Sequence, residues 1–286
     1  VSLARTEAEN FGDDVTKWVL PLPVHRLALR PETVIVRGGR GAGKSALFRL
    51  LGPGFDVARI RRFFHDDQIP DARWFDAFSQ STDRHPEVGI LDSFGRSATP
   101  EQIRSFSMGH LLLRLEDEGL VMVQPGPLDA ARGARNDVGA WVASVAGHLG
   151  ALANELDTTE RRLAAEGLTA FATYDHLDRI GAWDPTIRRR FVGGLLSLWL
   201  SLSNRYRWLR AKIFLRDDLL DAGELAFADA SKLRARSVSI EWEVEHLYRV
   251  CVRQMAALSP GLAEWVRGTA GQFSMSEDPN FGWMPG

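Results

Sequence analysis

The run Gly38-Gly39-Arg40-Gly41-Ala42-Gly43-Lys44-Ser45 carries the most specific chemistry in this chain. It fits G-x-x-x-x-G-K-[ST] at every fixed position. Glycines let a backbone curl until several N–H groups point at one phosphate. A helix starting at Lys44 would add the positive end of its dipole. The Lys44 ammonium is suited to β- and γ-phosphates as a mobile point charge. The Ser45 hydroxyl is suited to Mg²⁺, which takes oxygen ligands and bridges protein and phosphate. Arg40 lies in the variable part of the loop, where it either touches phosphate or faces solvent. Ala42 and Ala46 complete the loop and its helical exit. The competing reading is a chance glycine turn, which the flanks argue against: a β-branched run before it and a helical pattern after it.

Such a loop needs an acid at a neighbouring strand end to hold the magnesium shell. Asp175 closes the strand-like run Phe171-Ala172-Thr173-Tyr174 and so belongs at the carboxyl edge of a sheet, where open α/β sheets bind ligands. Asp178 comes three residues later in YDHLDRI, placed to accept a proton from, or to orient, an attacking water. Two structural readings compete. Asp175 could cap a helix, and Asp178 could be a first-turn acid favoured by the dipole. His176 reads as a local packing or hydrogen-bonding group, and His65-Asp66-Asp67 as a polar loop without zinc-ligand spacing.

These side chains require an α/β scaffold: a parallel sheet with flanking helices and a mainly helical insertion. Residues 1–32 read as a lead-in, with a short helix around Glu7–Trp18 and prolines at 21, 23 and 31. Residues 33–258 form the main domain, with the insertion at about 100–166, and residues 259–286 form a tail. Strands are expected at Thr33–Arg37, 55–62, Leu168–Tyr174, Lys212–Leu215 and Val238–Trp242. Helices are expected at 44–51, 101–118, 138–166, Thr186–Leu209 (begun by Asp184 as N-cap and Pro185), Asp217–Ala228 and Val244–Leu258. The stretch 63–100 reads as irregular, with 87–95 as strand or loop. Strands separated by helices imply parallel crossovers.

Composition narrows the classes. The chain of 286 residues is 45% hydrophobic and 25% charged, ordinary for a folded domain. Its 35 basic and 37 acidic residues nearly cancel, which argues against a binder held to nucleic acid by bulk charge. Lysine occurs only at 17, 44, 212 and 232, arginine supplying the other basic residues. In that background Lys44 stands where a planar guanidinium would fit badly. The single cysteine, Cys251, excludes an internal disulfide, fits a reducing compartment and reads as a small buried hydrophobe in a helix. The charged N-terminus lacks the apolar stretch of a signal peptide, and Phe191–Leu202 is too short to span a bilayer, so a cytoplasmic protein off the membrane is expected. The absence of an initial Met leaves open that the chain is an excerpt of a longer protein.

GGRGAGKS, FATYDHLD and KIFLRDD together resemble the P-loop ATPases of the ASCE division, and within it the STAND and AAA-type ATPases of bacterial conflict and signalling systems. SVSIEW and the helix after it are similar to the segment that succeeds the sensor strand in those ATPases. The resemblance implies ATP and Mg²⁺ as cofactors. It implies that Arg216, ending a strand, contacts the γ-phosphate, and that an arginine such as Arg249 or Arg253 completes a neighbour's site in a homo-oligomer. It implies ATP-driven switching within a larger assembly or with an effector protein. Many members have glutamate after the magnesium-binding aspartate. His176 stands there instead, implying slow or partner-stimulated turnover. No guanine-reading N/T-K-x-D occurs, which favours ATP over GTP. Two other readings come from arginine runs. RYRWLR (205–210) and RIRR (59–62) suit a nucleic-acid-dependent ATPase, and Arg188-Arg189-Arg190 could mimic the lid of a small-molecule kinase, although these runs also read as solvated helix faces.

Overall fold

The computed structural model describes residues 19–52, 57–79, 84–123, 126–133, 136–219, 230–259, 261 and 264–265. The helix expected at Glu7–Trp18 and nearly all of the tail lie outside these residues. Among the described residues, the strands are β1 (Ile35–Gly38), β2 (Ala72–Phe78), β3 (Thr169–Tyr174), β4 (Leu209–Arg216) and β5 (Ser237–Ser239). They pair in parallel in the order β2-β3-β4-β1-β5. The helices are α1 (Pro23–Leu29), α2 (Lys44–Leu50), α3 (Val57–Phe64), α4 (Val88–Gly95), α5 (Pro100–Asp117), α6 (Asp129–Gly133), α7 (Val138–Gly147), α8 (Leu149–Glu166), α9 (Pro185–Arg205), α10 (Ala230–Arg234) and α11 (Val244–Leu258).

Alternation along the central strands feeds two cores. Ile35, Ala170, Ala172, Ile213 and Leu215 join the core beneath α4, α5, α7, α8 and α9. Val36, Phe171 and Phe214 join the core beneath α1, α2 and α3. Burial on both faces is why TAFATY is buried at every position and why the central strands read as apolar runs. Helices α5 and α9 cross closely: a Cβ at Gly194 would lie 2.5 Å from Ile103 Cγ2. No helix of the described residues is long and apolar enough to cross a membrane.

Several elements differ from expectation. Residues 57–64 are helical, not a strand, because Ile60 and Phe64 bury one side while the arginines take the other. The stretch expected to be irregular contains β2 and α4; Trp74, Phe75, Ala77 and Phe78 bury the strand on both faces. Asp76, within this strand, accepts from Ser79 Oγ at 2.5 Å, and its carbonyl accepts from the buried Arg114. The helix expected over 138–166 breaks at His148 into α7 and α8. Helix α9 begins as expected, with Asp184 accepting from Thr186 N at 2.9 Å. It stops at Arg205 rather than 209, because a distant carboxylate takes over its exit. Glu160 accepts the N–H groups of Arg207, Trp208 and Leu209, and Tyr206 donates to Asp157. The helix expected from Asp217 is a single turn to Leu219, and the rest of it lies outside the described residues. Cys251 is exposed rather than buried. It shares the outer face of α11 with Val244, Leu247, Tyr248 and Met255.

Candidate functional site

The glycine loop leaves β1 at Gly38 and enters α2 at Lys44. Gly41 and Gly43 have φ of +82° and +89°, which only glycine adopts freely. A Cβ at Gly38 would lie 2.9 Å from the Ile240 carbonyl oxygen and 3.0 Å from Ala42 Cβ, so the loop presses directly against the chain leaving β5. Gly39, Arg40 and Gly41 are exposed, while Ala42 and Ala46 are buried. The Lys44 side chain folds back over the loop, its Nζ donating to Gly38 O at 2.9 Å and Gly39 O at 2.8 Å. Partial burial lowers the Lys44 pKa, and Asp175, Asp217 and Asp178 oppose that shift while Arg216 adds to it. The acids expected to work with this lysine therefore act on it electrostatically.

Asp175 is 4% exposed, at the carboxyl end of β3, with its own N–H donating to Phe78 O at 2.8 Å. Its Oδ1 accepts the adjacent His176 N–H at 2.8 Å. Its Oδ2 is buried with no hydrogen-bond partner, 3.4 Å from His176 Nε2. Burial raises the Asp175 pKa; the proximity of His176 and of the Ser45 hydroxyl holds it down. An orphaned carboxylate oxygen beside a serine hydroxyl is a hard-oxygen donor pair, which fits a magnesium ion completed by phosphate and water. The N-cap of the turn after it is His176, whose side chain makes no capping bond.

His176 takes a left-handed conformation, φ 57°, and turns the chain into the single 3-10 turn Leu177–Arg179. Leu177 anchors this turn in the core. Asp178 thereby faces the end of β4, its Oδ2 3.8 Å from Arg216 Nη1. Arg216 itself grips Asp218 with two parallel bonds of 3.0 and 2.9 Å. Asp217 receives Arg37 Nη1 at 3.0 Å. The structure thus gathers Lys44, Ser45, Asp175, Asp178 and Arg216 at the carboxyl edge of three neighbouring strands. Strand β4 separates β1 from β3, which sets the gap between the glycine loop and Asp175.

The other singled-out residues lie elsewhere. Lys212 is fully buried. Its ammonium donates to the carbonyls of Arg30 and Thr33 and lies 5.0 Å from the Phe171 ring centre, a structural clasp on α1's exit. Burial drives its pKa well below the usual lysine value. The arginine runs are tied into the fold. Arg188 donates to the carbonyls of Gly181 and Ala182, Arg190 to those of Gly95 and Arg96, and Arg210 to those of Ser203 and Arg207. Arg205 pairs with Asp157. Arg61 donates to Ile69 O at 2.7 Å. Arg249 pairs with Glu245 on its own helix, and the side chain of Arg253 lies outside the described residues.

Sequence reasoning missed one residue at the loop. Trp242 donates its indole N–H to Ala42 O at 2.9 Å. Nothing local flags it, since its partner is a backbone carbonyl. Comparison with protein-family models, curated protein sequences and solved structures yields no match.

Proposed function

We propose that the protein binds and hydrolyses ATP with magnesium, and uses that cycle as a conformational or oligomerisation switch in a larger assembly. One observation carries the reading. The Lys44 ammonium, the Ser45 hydroxyl and a buried, unpartnered Asp175 oxygen converge at one glycine loop on the carboxyl edge of a parallel sheet. Glycine-loop N–H groups and Lys44 would bind the phosphates. Ser45 and Asp175 would hold Mg²⁺, which neutralises phosphate charge when bound. Asp178 would orient the attacking water or take its proton. Its neighbour Arg216 would steady the negative charge that develops on the transferred phosphoryl oxygens. A carboxylate one turn from a buried acid, facing a guanidinium at 3.8 Å, is suited to that division of roles.

The test is ATP turnover and calorimetric ATP binding by Lys44→Ala. Loss of binding or turnover supports the reading, and unchanged ATPase rates refute it. The switch is tested separately, by ATPase activity against protein concentration. Specific activity that rises with concentration supports oligomer-completed catalysis; activity that rises only with added DNA or RNA would replace the switch with a nucleic-acid-dependent enzyme.

A further inference from the structure

We infer that Trp242 is a positioning residue for the glycine loop: by holding the Ala42 carbonyl outward it aims the next peptide N–H into the phosphate cradle. The inference rests on the proposed nucleotide binding and assigns a part of that site which the motif does not contain.

The geometry starts from β5. Its exit, Ile240 to Trp242, wraps the outer side of the loop. The Ile240 carbonyl oxygen stands 2.9 Å from where a Gly38 Cβ would be, and Trp242 Cζ2 stands 3.8 Å from where a Gly43 Cβ would be. The indole packs against the core that holds Ala42, Ala46 and Leu47, and its outer edge meets His246 at a 6.4 Å ring separation. Its only donor, Nε1–H, bonds to Ala42 O at 2.9 Å. In a planar trans peptide the C=O of one residue and the N–H of the next point in opposite directions. No cis peptide occurs among the described residues. Fixing the Ala42 carbonyl toward Trp242 therefore turns the Gly43 N–H away from it, toward the concave side of the loop.

That clamp is needed because of the glycines. Gly43 bounds that peptide on one side and Gly41 stands just before Ala42, and neither has a Cβ to restrict it, so the loop alone would hold its N–H groups less firmly in one direction. A carbonyl locked by a packed, rigid indole removes that freedom before the ligand arrives.

Trp242→Phe keeps a ring in place and removes the donor. Calorimetric titration with Mg–ATP should show about fivefold weaker binding than the unmutated protein, the size expected for losing one neutral hydrogen bond. A purely structural tryptophan would instead lower the urea midpoint and leave ATP affinity alone, and that result would overturn the inference. In the unmutated protein, the indole N–H resonance that vanishes in Trp242→Phe should shift when Mg–ATP is added; a resonance unmoved at saturating ATP would also overturn it. Failure of the unmutated protein to bind ATP would overturn the proposed function and this inference together. Equal ATP affinity of both proteins would overturn only the positioning role.

Discussion

Acidification should unfold this protein through two buried histidines. His25 sits in the first turn of α1, where its Nδ1 accepts the Leu22 N–H at 3.2 Å, and Phe64 meets its ring edge-on at 5.8 Å. That acceptor role requires an unprotonated nitrogen. His110 stacks on Phe106 at 5.8 Å, and its Nε2 lies 3.2 Å from the Arg84 carbonyl oxygen. Burial lowers the His25 pKa from 6.5 to about 4, helped by the proximity of His246. Burial lowers that of His110 from 6.5 to about 3, with His85 and Arg114 reinforcing the shift and the Arg84 carbonyl opposing it. The unfolded chain takes up these protons below pH 6.5, whereas the folded chain resists until pH 4 and pH 3. The stability is therefore intact above pH 6.5 and is lost as the pH falls through that window. Each neutral imidazole costs about 1.4 kcal/mol per pH unit below 6.5, so about 2 kcal/mol each and about 4 kcal/mol together by about pH 5. That is a large share of the ~5–15 kcal/mol that holds a typical domain. The assay is urea unfolding at about pH 7 and about pH 5 for the unmutated protein, His25→Gln and His110→Gln. Glutamine can still accept from Leu22 or donate to Arg84, so each variant should lose about 2 kcal/mol less than the parent over that range. The reasoning is refuted if the variants lose as much stability as the parent, or if NMR titration puts either imidazole near its usual value.

Asp178→Asn should bind ATP with little change and turn it over about a hundredfold more slowly, as expected for removing a group that takes a proton; normal turnover would move that role elsewhere. Gly194→Ala should lower stability by about 1–2 kcal/mol despite its gain in helix propensity, because its Cβ would meet Ile103 Cγ2 at 2.5 Å. A raised urea midpoint would show that α5 and α9 can part without cost.

Local signals were legible where chemistry and backbone demands coincide. The glycine loop is one case: positive φ requires glycine at 41 and 43, and a strand and a helix flank it as the pattern requires. Asp184-Pro185 at the start of α9 is another, since a cap and a fixed φ act on adjacent residues. Strand β2 was not legible. Its short apolar runs lie in a stretch punctuated by Pro and Gly, and the partner that fixes the Asp76 carbonyl, Arg114 on α5, comes from elsewhere in the fold. The end of α9 was hidden for the same reason. The residues there continue a helical pattern, and only Glu160, on α8, captures the three N–H groups that end it.

Sequence alone determined the residue types at the candidate site and the strand ends that carry them, because a glycine loop between strand and helix and a strand-terminal acid are local patterns. Tertiary structure alone decided what those residues face. The sheet order puts β4 between the loop strand and the acid strand, and so brings Arg216 to Asp178. It also made Lys212 a buried clasp and Trp242 a clamp on the loop. Both act on backbone carbonyls, of Arg30 and Thr33 in one case and Ala42 in the other. Every residue has a carbonyl, so such a partner leaves no mark in the sequence and appears only when the chain folds it within reach.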